Sequence, residues 1–143
     1  MRKSTHSAAL PSPQVAGAQR RARLLGNETW LSESQVNDLL MEAGRRRTAE
    51  QLRVARKLAG VTIEGVYLYP HVQFDVAAGD VRPVMAEILA VIPSDTGEWA
   101  TINWLFQRRR SLDGKRPADV LASAPTLAIK AARDDFMPSD ADW

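Results

Sequence analysis

The sequence predicts a mainly α-helical fold. Three observations carry that prediction: two short amphipathic segments that each begin with a capping box, an apolar stripe at helical spacing between residues 81 and 92, and an aromatic-rich helical stretch running into Gly114 and Pro117. Each element follows from local chemistry, taken in chain order.

Residues 1 to 24 mix Ser, Ala, Pro and Gln with Arg20, Arg21 and Arg23 and hold no sustained apolar period, which predicts a disordered basic arm. The folded part then runs from residue 25. In Leu31-Ser32-Glu33-Ser34-Gln35-Val36, the Ser32 and Gln35 side chains are spaced to satisfy free amides of a first helical turn. Leu31 and Val36 occupy the positions of a hydrophobic staple. Val36, Leu39, Leu40 and Ala43 form the inner stripe of this helix, and Gly44 ends it. The same signal returns with Thr48 and Gln51, followed by Leu52, Ala55, Leu58 and Ala59 as the inner face and Gly60 as the stop.

Val61 to Ile63 and Val66 to Tyr69 are short β-prone runs separated by Glu64-Gly65, a two-residue loop suited to a hairpin. Two helices followed directly by a hairpin predict a small winged helix-turn-helix over residues 25 to 70. His71 to Asp75 reads as strand or loop. Val81 to Ile92 reads as a helix with Pro83 in its first turn, where a missing donor costs nothing. Pro93-Ser94-Asp95-Thr96-Gly97 is a turn, and Pro125 opens a last helix with Leu127, Ala128, Ala131, Ala132 and Phe136 inward. Residues 71 to 136 are therefore expected to form a compact helical domain, followed by an acidic tail from 137 to 143.

The organising stretch of that second domain is Trp99 to Leu121. On a helical wheel Trp99, Ile102 and Phe106 share a side, while Trp104 lies roughly 140° from Trp99 at about 100° per residue. One face does not bury all of them. Either the helix is sandwiched inside its own domain, or one face is kept for a partner, since aromatic side chains beside Arg are frequent interface anchors.

Composition bounds the function. A chain of 143 residues with 45% hydrophobic content suffices for one or two small units rather than a large enzyme. The absence of cysteine excludes disulfides, a thiolate nucleophile and a Cys-based zinc site, and suits a reducing compartment. The start lacks the apolar core, about 7 to 15 residues, of a signal peptide, and no run is long enough to span a membrane, so a cytoplasmic protein is expected. Residues 1 to 60 carry 11 Lys and Arg against 5 Asp and Glu, a balance of +6, whereas residues 61 to 143 carry 8 against 12, a balance of −4. That split suggests a polyanion for the first part and a different partner for the second.

Candidate nucleic-acid contacts follow from the second helix. Arg45, Arg46 and Arg47 crowd its entrance, where helix termini favour anions. Thr48, Gln51, Arg53, Arg56 and Lys57 lie along it, with Gln51 and Arg53 placed to reach base edges in a major groove. Tyr67 is a candidate wing contact. The competing interpretation is a solvated basic face paired with Glu33 and Glu50. Asp113 and Asp119 have no nucleophile nearby, and His6 and His71 are far apart in the chain and form no metal motif, so catalysis, cofactors and metals are not expected. No phosphate-binding glycine loop, dinucleotide fingerprint or nucleophile elbow is present.

Trp104, Leu105, Leu112, Gly114, Pro117 and Leu121 match in order and spacing the W-L-x-x-P-N-x-x-L-x-G-x-x-P-x-x-x-L signature of the toxin-binding domain of Xre/MbcA/ParS-type antitoxins. The resemblance extends over roughly Tyr69 to Phe136 and includes Y-P-x-x-Q-F-D at Tyr69 to Asp75. Arg108 and Arg109 stand where that family carries Pro-Asn. A second resemblance, over Trp30 to Pro70, is to excisionase-like or MerR-like DNA-binding units.

Together these resemblances imply a type II antitoxin that binds operator DNA as a homodimer and occludes a toxin, with an NAD-depleting RES-type toxin favoured. The implied toxin contacts are Trp104, Phe106, Arg108, Arg109, Arg110, Leu112, Gly114, Arg116 and Pro117. Trp143 joins them as the aromatic end of a tail suited to plug a cationic cleft. The alternatives are a DNA-binding regulator or excisionase-like protein with no toxin, and a toxin-binding module whose helix-turn-helix no longer binds DNA.

Overall fold

The computed structural model describes residues 12 to 137. It is mainly helical, with seven α-helices and two small antiparallel sheets. In chain order the elements are α1 (Pro13–Asn27), β1 (Trp30–Ser32), α2 (Glu33–Glu42), α3 (Ala49–Val54), β2 (Val61–Ile63) and β3 (Val66–Pro70). These are followed by β4 (Phe74–Asp75), β5 (Asp80–Val81), α4 (Val84–Val91), α5 (Glu98–Leu105), α6 (Pro117–Val120) and α7 (Pro125–Phe136). Single 3₁₀ turns cover His71–Gln73 and Arg110–Leu112.

The arm expected through residue 24 gives way to α1 from Pro13 onward. The Ser12 hydroxyl accepts from the Val15 amide at 3.2 Å, and Pro13 occupies the first turn, where its fixed φ is already helical. No α1 side chain is buried, so no apolar period announces this helix. Its Ala, Gln, Arg and Leu content favours helix by intrinsic propensity alone. Residues 1 to 11 of the expected arm lie outside the described residues.

Both capping boxes form. The Ser32 hydroxyl accepts from the Gln35 amide and the Gln35 side chain accepts from Ser32, with the same reciprocal pair between Thr48 and Gln51. Of its expected stripe, helix α2 buries Val36 and Leu40, while Leu39 is partly buried and Ala43, at the helix end, is exposed. Its Asn37 accepts from the first amide of α3, Ala49 N, at 2.7 Å, which fixes how the two helices meet.

Helix α3 is shorter than its sequence suggests. It stops at Val54 because Arg56 takes φ 58°, and the Lys57 amide then donates back to Leu52 O at 2.9 Å. A left-handed non-glycine residue costs about 1 to 2 kcal/mol. Here the Arg56 guanidinium offsets it by donating to Leu89 O at 2.6 Å and Ile92 O at 2.7 Å, carbonyls at the end of α4.

The hairpin forms with Glu64 and Gly65 both at positive φ, 51° and 80°, the twist that matches two-residue hairpins. Strand β1 adds to its other edge, giving the order β1-β3-β2 with Leu31 opposite Tyr69. Val81, expected in a helix, instead pairs with Phe74 in a second small sheet, and α4 begins after Pro83.

The boundary expected near residue 70 does not separate two cores. Val36, Leu52 and Tyr69 belong to the same buried cluster as Met85, Ile102, Leu121 and Ala132. Gln73 is the polar member at this junction, fully buried. Its Oε1 accepts from Ala59 N at 2.9 Å, and its Nε2 donates to Ala59 O at 2.7 Å and to Pro70 O at 3.2 Å. The side chain thus acts as one rung of a ladder for a strandless stretch of backbone.

Replacing Gln73 by Leu leaves the Ala59 amide and carbonyl without partners, at a cost of about 2 to 4 kcal/mol. The urea unfolding midpoint of Gln73→Leu is expected to fall accordingly at unchanged slope. A loss below about 1 kcal/mol would show that the rung is dispensable.

Candidate nucleic-acid interface and partner surface

The turn between α2 and α3 and the start of the second sheet enclose a notch of about 410 Å³ lined by Arg45, Arg46, Arg47, Lys57, Arg82 and Asp80, with Leu40 and Leu52 at its floor. Arg45 is held in place, with Nε 3.4 Å from Asp80 and Nη2 donating to Ala78 O at 3.0 Å. Arg46 and Arg47 are exposed. The notch therefore gathers four of the cations expected to meet DNA and adds Arg82, which sequence reasoning missed. Arg82 sits after the glycine turn of the second sheet, and its Nε donates to Val72 O at 3.2 Å. Nothing in local sequence announces that this turn folds beside Arg45.

The rest of the predicted DNA set divides. Thr48 and Gln51 are exposed, but each already serves the capping box. With Asn37 satisfying Ala49, the first turn of α3 has committed donors that an anion would otherwise attract, so the positive field rests on the side chains instead. Arg56 is not a DNA contact in this conformation, because its guanidinium is committed to the end of α4. The Arg53 guanidinium carbon lies over Tyr67, 3.7 Å from the ring centre, and its Nη2 is 3.8 Å from Glu33. Its Nε is buried with no partner among the described residues. Tyr67 in turn stacks on Tyr69 at 6.2 Å and 14°. Tyr69 is fully buried and its hydroxyl donates to Glu33 at 2.6 Å. Burial, with that hydrogen bond, raises its pKa above the ordinary tyrosine value. Arg53 and Tyr67 thus form a stacked wall between α3 and the hairpin.

In the helical half most of the expected aromatic contacts are interior. Trp104 is 5% exposed, its indole N–H donates to Asp135 at 2.7 Å, and its ring meets Phe136 at 5.8 Å. A buried indole needs such an acceptor, and Asp135 is in turn neutralised by Arg109, which also lies over the Trp104 ring. Phe106, Leu112 and Pro117 are buried as well. Trp104, Phe106, Leu112 and Pro117 are therefore unavailable to a partner in this conformation, and their spacing serves the core. Leu127, expected inward, is exposed, and Ile129 takes its place.

Arg108, Arg110 and Gly114 remain on the surface. Asp113 and Gly114 take φ 57° and 82°, and Arg108 Nη1 closes the turn by donating to Gly114 O at 3.0 Å. A left-handed Asp followed by a left-handed Gly thus turns the chain between Arg109 and Lys115.

Arg116 is half-buried within an ion cluster. It reaches Glu28 at 2.7 Å and Asp119 at 2.8 Å and lies over Phe106. Hydrogen bonding to Asp119 holds Arg116 fully protonated, and the reciprocal bond holds the Asp119 carboxyl below its ordinary range. The cluster ties the end of α1 to α6, while Trp30 donates to Leu24 O at 3.0 Å and Arg21 lies over Trp99. Trp143 lies outside the described residues.

No known family model, curated protein or solved structure matches the chain.

Because the Asp119 carboxyl is depressed by folding, its contribution is fully present above the unfolded carboxylate value, about 3.9, and is lost as pH falls through the lower folded value. Acid titration of Asp119→Asn, followed by circular dichroism, is expected to show less stability at neutral pH and a shallower loss in that window than the parent chain. Superimposable acid profiles would show that the Arg116–Asp119 pair contributes nothing to folding.

Proposed function

We propose that the chain is the antitoxin of a type II toxin-antitoxin pair. It binds the operator of its own genes through α2, α3 and the β2-β3 hairpin, read as a winged helix-turn-helix. It neutralises a cognate toxin through the surface of its helical half and performs no chemistry itself. The observation that carries the nucleic-acid part is the concentration of Arg45, Arg46, Arg47, Lys57 and Arg82 around one notch with Asp80 as its lining carboxylate. A duplex presents closely spaced phosphates, and cations held on a concave surface beside two helices release its counterions without further ordering.

The toxin part rests on the ordered W-L, L-x-G-x-x-P and final Leu spacing. In this fold all of those residues except the exposed Gly114 pack the interior, so they support the surface rather than touch the toxin, and contact falls to exposed groups such as Arg108 and Arg110. A RES-type, NAD-depleting toxin remains the favoured partner by resemblance. A homodimer fits a two-fold operator, in the cytoplasm. Burial of Trp104 and Phe106 favours one second reading, a DNA-binding regulator without a toxin.

Co-expression of the chain with the product of the adjacent reading frame separates these readings. The antitoxin reading expects the neighbour alone to arrest growth and the two products to co-purify. A harmless neighbour that does not co-purify favours the stand-alone regulator. For the DNA surface, combined Arg45→Ala, Arg46→Ala, Arg47→Ala and Lys57→Ala is expected to weaken binding to the upstream duplex uniformly across sequences. The slope of log affinity against log salt should fall by about 3 to 4. Unchanged affinity and slope would exclude the notch as the DNA surface.

A further inference from the structure

A larger cleft, with no lining residue in common with the notch, lies between α1 and α5. Its volume is about 730 Å³, and Arg20, Arg23 and Arg108 stand around it with Asn27, Asn103 and Gln107. Its apolar lining is chiefly Leu24 and Ala100, with only the small exposed fractions of Trp104 and Phe106. The lining carboxylate, Glu28, is already consumed by Arg116. Arg20, Arg23 and Arg108 are exposed and make no ion pair among the described residues. Helix α1 buries none of its side chains, yet it is fastened by the Trp30 to Leu24 hydrogen bond, by the Arg116 to Glu28 pair and by Arg21 lying over Trp99 of α5. Its physical contribution is therefore less to the core than to one basic wall of this cleft.

We propose that the α1-α5 cleft is a docking groove for an acidic, extended peptide segment of a protein partner. The inference rests on the reading that the helical half meets a protein, and it moves the contact from the buried signature to a surface that includes α1. Three side-chain amides suit the alternating donors and acceptors of a peptide backbone, and the three exposed guanidinium groups suit carboxylates, which Arg grips with two parallel donors. A nucleic-acid strand fits less well. Trp104 and Phe106 are 5% and 8% exposed, so neither offers a free aromatic face to stack on bases.

The test uses the full chain and a fluorescein-labelled decamer of glutamate, read by anisotropy, with a thymidine decamer as the second probe. The glutamate decamer is expected to bind, more weakly as salt rises, and combined Arg20→Ser, Arg23→Ser and Arg108→Ser should weaken it about tenfold. Asn103→Asp, which sets a carboxylate in the cleft without touching α1, should weaken it too. Combined Arg45→Ala, Arg46→Ala and Arg47→Ala should not. No binding by the parent chain, equal binding by the cleft variants, or loss in the notch variants would overturn the proposal. A thymidine decamer that binds more tightly and is lost in the cleft variants would also overturn it, in favour of a nucleic-acid groove. Because no toxin is present in the assay, its outcome is independent of whether the neighbouring gene product is one.

Discussion

The turn that ends α3 is gripped from two directions, and the place where α3 stops and the hairpin begins depends on that grip. The turn runs Arg56, Lys57, Leu58, Ala59, Gly60. At its start Arg56, in a left-handed conformation, sends its guanidinium to the last carbonyls of α4. Near its end Ala59 is paired through both its backbone groups with the buried side chain of Gln73. Removing either grip frees this turn to continue as helix or to fray, and α3 would lose its fixed angle to the notch.

The grip makes the two halves one frame. Trp30, next to the first helix of the basic half, packs its ring against Trp99 and Phe106 of the helical half at 6.5 Å each. Thr62 in the hairpin donates through its amide and hydroxyl to Glu98 at the start of α5. A partner that shifts α5 therefore acts on the hairpin and on the packing beneath β1 without any contact to DNA. If the chain is the proposed antitoxin, this would be a physical route for toxin binding to alter operator affinity.

Much of the fold is legible in the sequence because it is locally encoded. The capping boxes at Ser32 and Thr48, the Glu64-Gly65 hairpin and the helical stop at Gly44 are signals within a few residues. Three features are not legible, each for a physical reason. Helix α1 buries no side chain and so leaves no periodic trace. The end of α3 is decided by Arg56 finding carbonyls more than thirty residues away, a tertiary event. Trp104 reads as a free anchor on a wheel because the wheel does not show α7, whose Asp135 and Phe136 enclose it. The basic notch is legible as to its arginines at 45 to 47 but not as to Arg82, which the second sheet delivers.

The division of two surfaces over one shared core is tested most directly by amide hydrogen exchange of the full chain with and without its upstream duplex. Protection is expected at residues 45 to 57 and 61 to 69, with α7 exchanging at its free rate. Protection confined to residues 99 to 136, with none between 45 and 57, would contradict it.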